Sequence, residues 1–245
     1  FIDVHIHGAA GHDTMDGTFE AINEISKSIV KHGTTSFTPT TMTVSVDAIR
    51  KSMEVIKEAK IKGTDGALVL GAHLEGPFIN PGAIGAQNPN FLIPPTIENY
   101  NAMVGDCEDA VVSITIAPEV PGAKELIKVL SSKGVVCSIG HTKATYEEAL
   151  EGIKCGCGHS THLFNAMTPF THREPGVVGA IFDTDITTET ISDGIHVAYP
   201  SLRIAYKQKT TDKVLLVTDA MMACSMPDGM YSLGGQDVVV KENAA

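Results

Sequence analysis

Short β-branched runs alternate with amphipathic helical stretches along the whole of this chain, and that alternation constrains the fold more than any other feature. Extended candidates end near His7 (FIDVHIH), Thr40 (TTSFTPT), Glu75 (ALVLGAHLE), Pro118 (VVSITIAP), His141 (VVCSIGH), His162 (HSTHL), His196 (ETISDGIH) and Asp219 (VLLVTD). Several are nearly continuous apolar runs, as expected when both faces of a strand are covered. Between them, Ile22, Ile25, Ile29 and Val30 recur at helical period from Phe19, and Ile49, Met53 and Ile56 do so from Val46. Thr145 with Glu148 forms a capping box whose helix Gly156 can end, and Ala123 to Lys133 reads as a helix ended by Gly134. Eight strands alternating with helices predict a parallel sheet with right-handed crossovers. In 245 residues the first expectation is an α/β fold of the (β/α)8 TIM-barrel type. An open doubly wound sheet is the alternative, and no glycine-rich nucleotide-binding motif supports it.

Composition narrows the partners. With 18 Lys+Arg against 29 Asp+Glu the net charge is −11, which argues against a nucleic-acid partner. Hydrophobic residues at 43% and charged residues at 19% are ordinary for a globular chain with a sizeable core. No apolar run approaches the roughly 18 residues of a membrane helix. Five scattered cysteines make no disulfide framework, and a reducing cytoplasm is the simplest expectation. Cys155-Gly156-Cys157 with His159 nearby lacks the spacing of a zinc site and reads as a packed turn. The span opens Phe1-Ile2-Asp3, with no Met and no secretory signal visible.

Polar residues gather where the strands end. His5 and His7 close the first, Glu75 the third, His141 the fifth, His162 the sixth, His196 the seventh and Asp219 the eighth. In a barrel these carboxyl ends meet on one rim, so residues more than two hundred positions apart can share a pocket. His5-Ile6-His7 on a strand puts both imidazoles on one face, a pair suited to a divalent metal. Glu75 after an apolar strand needs a counterion or a metal. His73 shares its parity and is either a support below the site or a satisfied core histidine. His159 has the opposite parity to His162, so at most one of them is expected inside the barrel. Asp219 suits a proton shuttle, against the plainer reading of a helix cap. His12 reads as a surface residue, and His32, before Gly33 at a helix end, as a cation favoured by the helix dipole. Arg173, in the loop HREPG, could hold a phosphate bidentately or could be a solvated loop residue.

These stretches together resemble the amidohydrolase superfamily and, within it, the N-acetylglucosamine-6-phosphate deacetylases. The match rests on FIDVHIHG, GTTSFTPT, HLEGPFINP with GAQNPNF, IGHT, THLFNAM, HREPG, DGIHV and TDAM, in this order. The resemblance implies that Glu75, His141 and His162 are metal ligands and that His5 and His7 add a second pair, for one or two divalent ions, zinc or iron. It implies Asp219 as catalytic acid/base and Gln87, Asn165, Ala166, Arg173 and His196 as substrate contacts. Gln87 stands where many relatives carry a histidine, which puts its role in doubt. The implied reaction is hydrolysis of the N-acetyl group of an amino-sugar phosphate by a cytoplasmic homodimer. Alternatives are an N-acyl-amino-acid deacylase, a cyclic-amide hydrolase or a non-catalytic sugar-phosphate-binding protein. Residues 1–245 then form the catalytic barrel, trimmed at both ends, without the family's small flanking β domain or the last barrel helix.

Overall fold

The computed structural model describes residues 1–242; the last three residues of the expected 1–245 domain lie outside the described residues. Eight parallel strands follow one another in chain order: β1 (Ile2–Ile6), β2 (Ser36–Thr41), β3 (Ala72–Glu75), β4 (Val111–Ile116), β5 (Val136–Ile139), β6 (Cys157–Ser160), β7 (Thr187–Ile191) and β8 (Val214–Val217). Each pairs with the next in parallel, with a short extra strand, Leu68–Val69, beside β2. Helices α1 (Phe19–Ile29), α2 (Val46–Lys62), α3 (Ile97–Val104), α4 (Ala123–Ser132), α5 (Tyr146–Cys155), α6 (Gly176–Phe182) and α7 (Tyr199–Lys209) fill the crossovers. The ordered parallel ring is the barrel and excludes the open doubly wound sheet.

The ring closes between β1 and β8 without a regular ladder. Asp219 N–H donates to His5 O at 3.0 Å and His7 N–H to Ala220 O at 2.8 Å. The buried Asp3 carboxylate takes the Thr218 hydroxyl at 2.6 Å and the Thr218 N–H at 3.3 Å. Among the described residues no helix follows β8. The chain turns into an antiparallel hairpin, β9 (Gly229–Leu233) and β10 (Gln236–Val240), and Leu216 on β8 is 60% exposed. Gln236 of that hairpin donates to Ala86 O at 2.7 Å, beside Gln87 at the barrel mouth.

Local chemistry fixes the helices where the sequence places them. Thr18 and Ser45 cap α1 and α2. The Thr145–Glu148 box forms as expected at α5, and Gly156 at φ 127° ends it. The strand period then sorts side chains by polarity. Leu74, Ile114, Ile116, Cys137 and Ile139 point outward and pack with Ile22, Ile49, Met53, Ile56 and Leu126 of the helices in one core. The lumen is instead polar. His73 Nε2 lies 2.8 Å from the Thr115 hydroxyl, which lies 2.8 Å from that of Thr161, in turn 2.6 Å from that of Ser138. An unpaired buried polar group costs on the order of 1–3 kcal/mol, so these groups are chained to one another. Helix packing thus secures the ring from outside, and the inside is free to carry chemistry.

Candidate active site

Seven of the residues expected at the site meet at the carboxyl end of the barrel. The Glu75 carboxylate is their hub. Its Oε1 lies 3.3 Å from His5 Nε2, 3.2 Å from His141 Nε2 and 3.1 Å from His162 Nε2. Its Oε2 lies 3.1 Å from His7 Nε2 and accepts from Gln87 Nε2 at 2.8 Å. Asp219 Oδ1 is 3.2 Å from His5 Nε2 and 3.3 Å from His7 Nε2. The ligand-type residues are sealed, whereas the Asp219 side chain keeps 21% of its surface exposed. Asp219 is therefore the member that faces the open mouth.

Backbone strain delivers several of these side chains. β5, β6 and β8 end two residues before His141, His162 and Asp219, and those three non-glycine residues adopt left-handed φ of 48°, 27° and 49°. Each such conformation costs on the order of 1–3 kcal/mol and persists only where the surroundings enforce it. The turn also breaks the strand parity expected for His159 and His162. Both are buried and both point inward: His162 at Glu75, and His159 Nε2 at Glu189 Oε1, 3.1 Å away. The expectation that at most one enters the barrel is corrected on that ground. At Glu75 the next residue must be glycine, because a Cβ at Gly76 would collide with Thr43.

The donor set fits a divalent cation. His7 Nδ1 donates to Thr40 O at 3.2 Å, His141 Nδ1 to Ala83 O at 2.8 Å and His5 Nδ1 to Glu189 Oε2 at 2.8 Å. In its neutral form each of these rings therefore presents a bare Nε2 lone pair to the centre. His141 Nε2 and His162 Nε2 approach to 3.1 Å, and the buried His5 Nε2 lies between Glu75 Oε1 and Asp219 Oδ1. Lone pairs held this close call for a shared cation. A tetrahedral site with bonds of about 2.1 Å spaces its ligand atoms about 3.4 Å apart, close to the contacts seen here. Two overlapping groups could hold a metal: His5, His7 and Glu75, and Glu75, His141 and His162. The Cys155–Cys157 turn belongs to neither, and all five cysteines are free thiols.

The amidohydrolase family profile matches residues 1–228. The chain belongs to the amidohydrolase family. This amidohydrolase is 42% identical over 246 residues to the N-acetylglucosamine-6-phosphate deacetylase of Lysinibacillus sphaericus, covering 100% of this chain and 64% of that protein. It is 39% identical over 248 residues to the deacetylase of the same name from Bacillus subtilis, covering 100% of this chain and 63% of that one. It superposes with a TM-score of 0.94, at 33% identity, on N-acetyl-D-glucosamine-6-phosphate deacetylase from Mycobacterium smegmatis solved in complex with N-acetyl-D-glucosamine-6-phosphate, over 99% of this chain and 63% of that one. The chain spans a little under two thirds of the length of these relatives.

Electrostatics separates the imidazoles that face Glu75 from His73. Burial pulls His5, His7 and His162 down, but the facing carboxylates outweigh it and raise all three, His7 to about 9. Burial likewise works to raise Glu75 and Asp219, yet the His5 charge beside them holds both below the usual carboxylate range. His73 goes the other way: burial and the His5 charge push it down to about 3. It contacts the hydroxyls of Thr40 and Thr115 and packs edge-on against the His5 ring, 4.6 Å between centroids, so it is satisfied by hydrogen bonds and also lies against the site.

The remaining expected contacts are not drawn into this cluster. Asn165 Nδ2 donates to His162 O at 3.3 Å, and Ala166 O accepts from Thr142 N–H at 3.0 Å, so both brace the loop that carries His162. Arg173 is exposed. His196 is exposed too and donates from Nδ1 to Asp193 Oδ2 at 2.7 Å. Its expected position at the end of the seventh strand is corrected: β7 stops at Ile191, because the Asp193 carboxylate takes the N–H groups of Ile195 and His196 and bends the chain into a turn. His32 sits in the helical turn Val30–His32 that follows α1 and is closed by Gly33, at a helix end as expected, whereas His12, expected at the surface, is half-buried, 3.9 Å from Asp16.

Glu189 was not among the expected site residues. It is 3% exposed inside the barrel and contacts His5, His159 and the His162 N–H. The available signal was a carboxylate in the middle of a strand of threonines, Thr187-Thr188-Glu189-Thr190, where a charge has no water to face.

Proposed function

We propose that this barrel is the catalytic part of an N-acetylglucosamine-6-phosphate deacetylase, which hydrolyses the N-acetyl group of N-acetylglucosamine 6-phosphate to glucosamine 6-phosphate and acetate. The observation that carries the reading is the pairing of a sealed His/Glu donor set with one half-open carboxylate, Asp219, in contact with it. The likeness to deacetylases over the whole of this chain supports the substrate class.

Glu75, His141 and His162 would hold one divalent cation, with His5 and His7 adding a second position that shares Glu75. Zinc and iron both suit these donors. Bound there, the cation supplies Lewis acidity and makes water nucleophilic at neutral pH. Asp219, ionised and facing the mouth, takes the proton of the attacking water on its carboxylate. An ordinary aspartic acid near 3.9 is a poor proton reservoir at neutral pH, so Asp219 returns that same proton to the departing nitrogen within the turnover. Gln87 holds the outer oxygen of Glu75. Arg173 grips the phosphate bidentately, and this remote binding energy orients the acetamide against the site. His196 holds the sugar or steadies the carbonyl oxygen. The reading includes a cytoplasmic homodimer in which the Arg173 loop reaches the neighbouring subunit.

The test is acetate release from N-acetylglucosamine 6-phosphate and from the unphosphorylated sugar, by the full-length protein with added zinc or iron. Much faster release from the phosphate ester than from the unphosphorylated sugar supports both the chemistry and the phosphate anchor. Release from neither overturns the substrate assignment and favours another amide or a binding role.

A further inference from the structure

Four imidazoles aim Nε2 at the centre, and they are not backed alike. His7 and His141 each rest their Nδ1–H on a neutral backbone carbonyl, of Thr40 and Ala83. His162 Nδ1 is buried with no hydrogen-bond partner. Only His5, among the four, has a carboxylate behind it: Glu189 Oε2 at 2.8 Å, both groups out of reach of water. The same Oε2 accepts the His162 N–H at 3.1 Å, and Oε1 lies 3.1 Å from His159 Nε2. Glu189 is therefore clamped from three sides and cannot swing away from His5.

We propose that Glu189 is a positioning residue that makes the His5–His7 half of the site the stronger metal seat than the His5 and His7 rings alone would be. The inference rests on the metal reading above. A carboxylate behind a ligating imidazole fixes its tautomer and ring plane and raises its basicity, and loss of such a partner weakens metal binding by about 10- to 100-fold. No equivalent charge stands behind His141 or His162, so the effect falls on one half-site.

Glu189→Gln isolates the charge. The Gln carbonyl can still accept from His5 Nδ1–H and the His162 N–H. Its amide can donate to His159 Nε2 once that ring moves its proton to Nδ1, which lies 2.6 Å from the Thr187 hydroxyl. Full-length wild type and E189Q are dialysed against buffers of graded free zinc, and bound zinc per chain is read by elemental analysis. Wild type is expected to fill two positions, and E189Q to fill one as before and the other only at about 10- to 100-fold higher free zinc. Two unchanged positions in E189Q, or equal weakening of both, would overturn the proposal. A wild type that saturates at one zinc also overturns it, and one that takes up none overturns the metal reading itself. A measurement on the unmutated, zinc-loaded protein stands beside the variant. His5 must show an imidazole Nδ1–H proton far downfield and slow to exchange; its absence overturns the role even if E189Q fails to fold.

Discussion

Gln87 and Glu75 are joined by a hydrogen bond whose direction is dictated by a third residue. Thr43 N–H donates to Gln87 Oε1 at 2.7 Å, so the other arm of the amide, Nε2, is the one that meets Glu75 Oε2 at 2.8 Å. Gln87 is 3% exposed and held at both ends. It braces the Glu75 carboxylate.

Gln87→Ala leaves the Thr43 N–H without its Gln87 partner and removes one of the two contacts to Glu75 Oε2, the other being His7 Nε2 at 3.1 Å. Zinc affinity and acetate release are both expected to fall by about 10- to 100-fold, the range for lost partners of metal ligands. Competition with a chromophoric chelator reads the first and a coupled acetate assay the second. Unchanged zinc affinity would remove Gln87 from the supporting frame of Glu75.

Asp219→Asn keeps the size of the side chain and removes its capacity to take a proton. Turnover is expected to drop by about 100- to 10,000-fold. Zinc content and the affinity for N-acetylglucosamine 6-phosphate should stay close to wild type. Near-normal turnover would move the proton-transfer role to another group.

Arg173→Ala removes the charge assigned to the phosphate. A charge-assisted hydrogen bond is worth about 1.5–3 kcal/mol, so KM for the phosphate ester is expected to rise by about 10- to 100-fold. The slow reaction with the unphosphorylated sugar should not change. Equal losses on both substrates would return Arg173 to an ordinary loop residue.

The thiols divide by burial. Burial pushes Cys137 up to about 12 and Cys157 well above the ordinary thiol range. Only the thiolate reacts, and at about four pH units below its pKa on the order of one thiol in ten thousand is ionised. In the native protein at pH 8, maleimide labelling read by peptide mass spectrometry should therefore modify Cys155 and Cys224, which are partly exposed, and spare Cys137 and Cys157. The pair should become reactive on unfolding, and rapid native labelling of Cys137 would contradict the burial.

The barrel was legible because the strand and helix periods do not resemble each other and alternate cleanly from Ile2 to Val217. The hub residues were legible because charged and imidazole side chains at strand ends have few other uses. Tertiary effects hid the rest. Glu189 sits mid-strand, where a period-two pattern assigns a face but not a partner 184 positions away in His5. His159 and His162 defied parity because the strand ends at Ser160 and the backbone turns left-handed at His162. His196 was placed on a strand because ETISDGIH reads as extended, and Asp193 stops it with a side-chain turn.

The seam between β1 and β8 also carries a cost of closure. Asp3 and Thr218 are 215 positions apart, so closing this seam carries a high loop-closure cost unless the intervening strands have already shortened the path. His5 and His7 stand on one lip of that seam and Asp219 on the other. No partial barrel short of its eighth strand brings Asp219 opposite the imidazoles. The cluster at the mouth is thus a property of the closed ring and of no shorter piece of it.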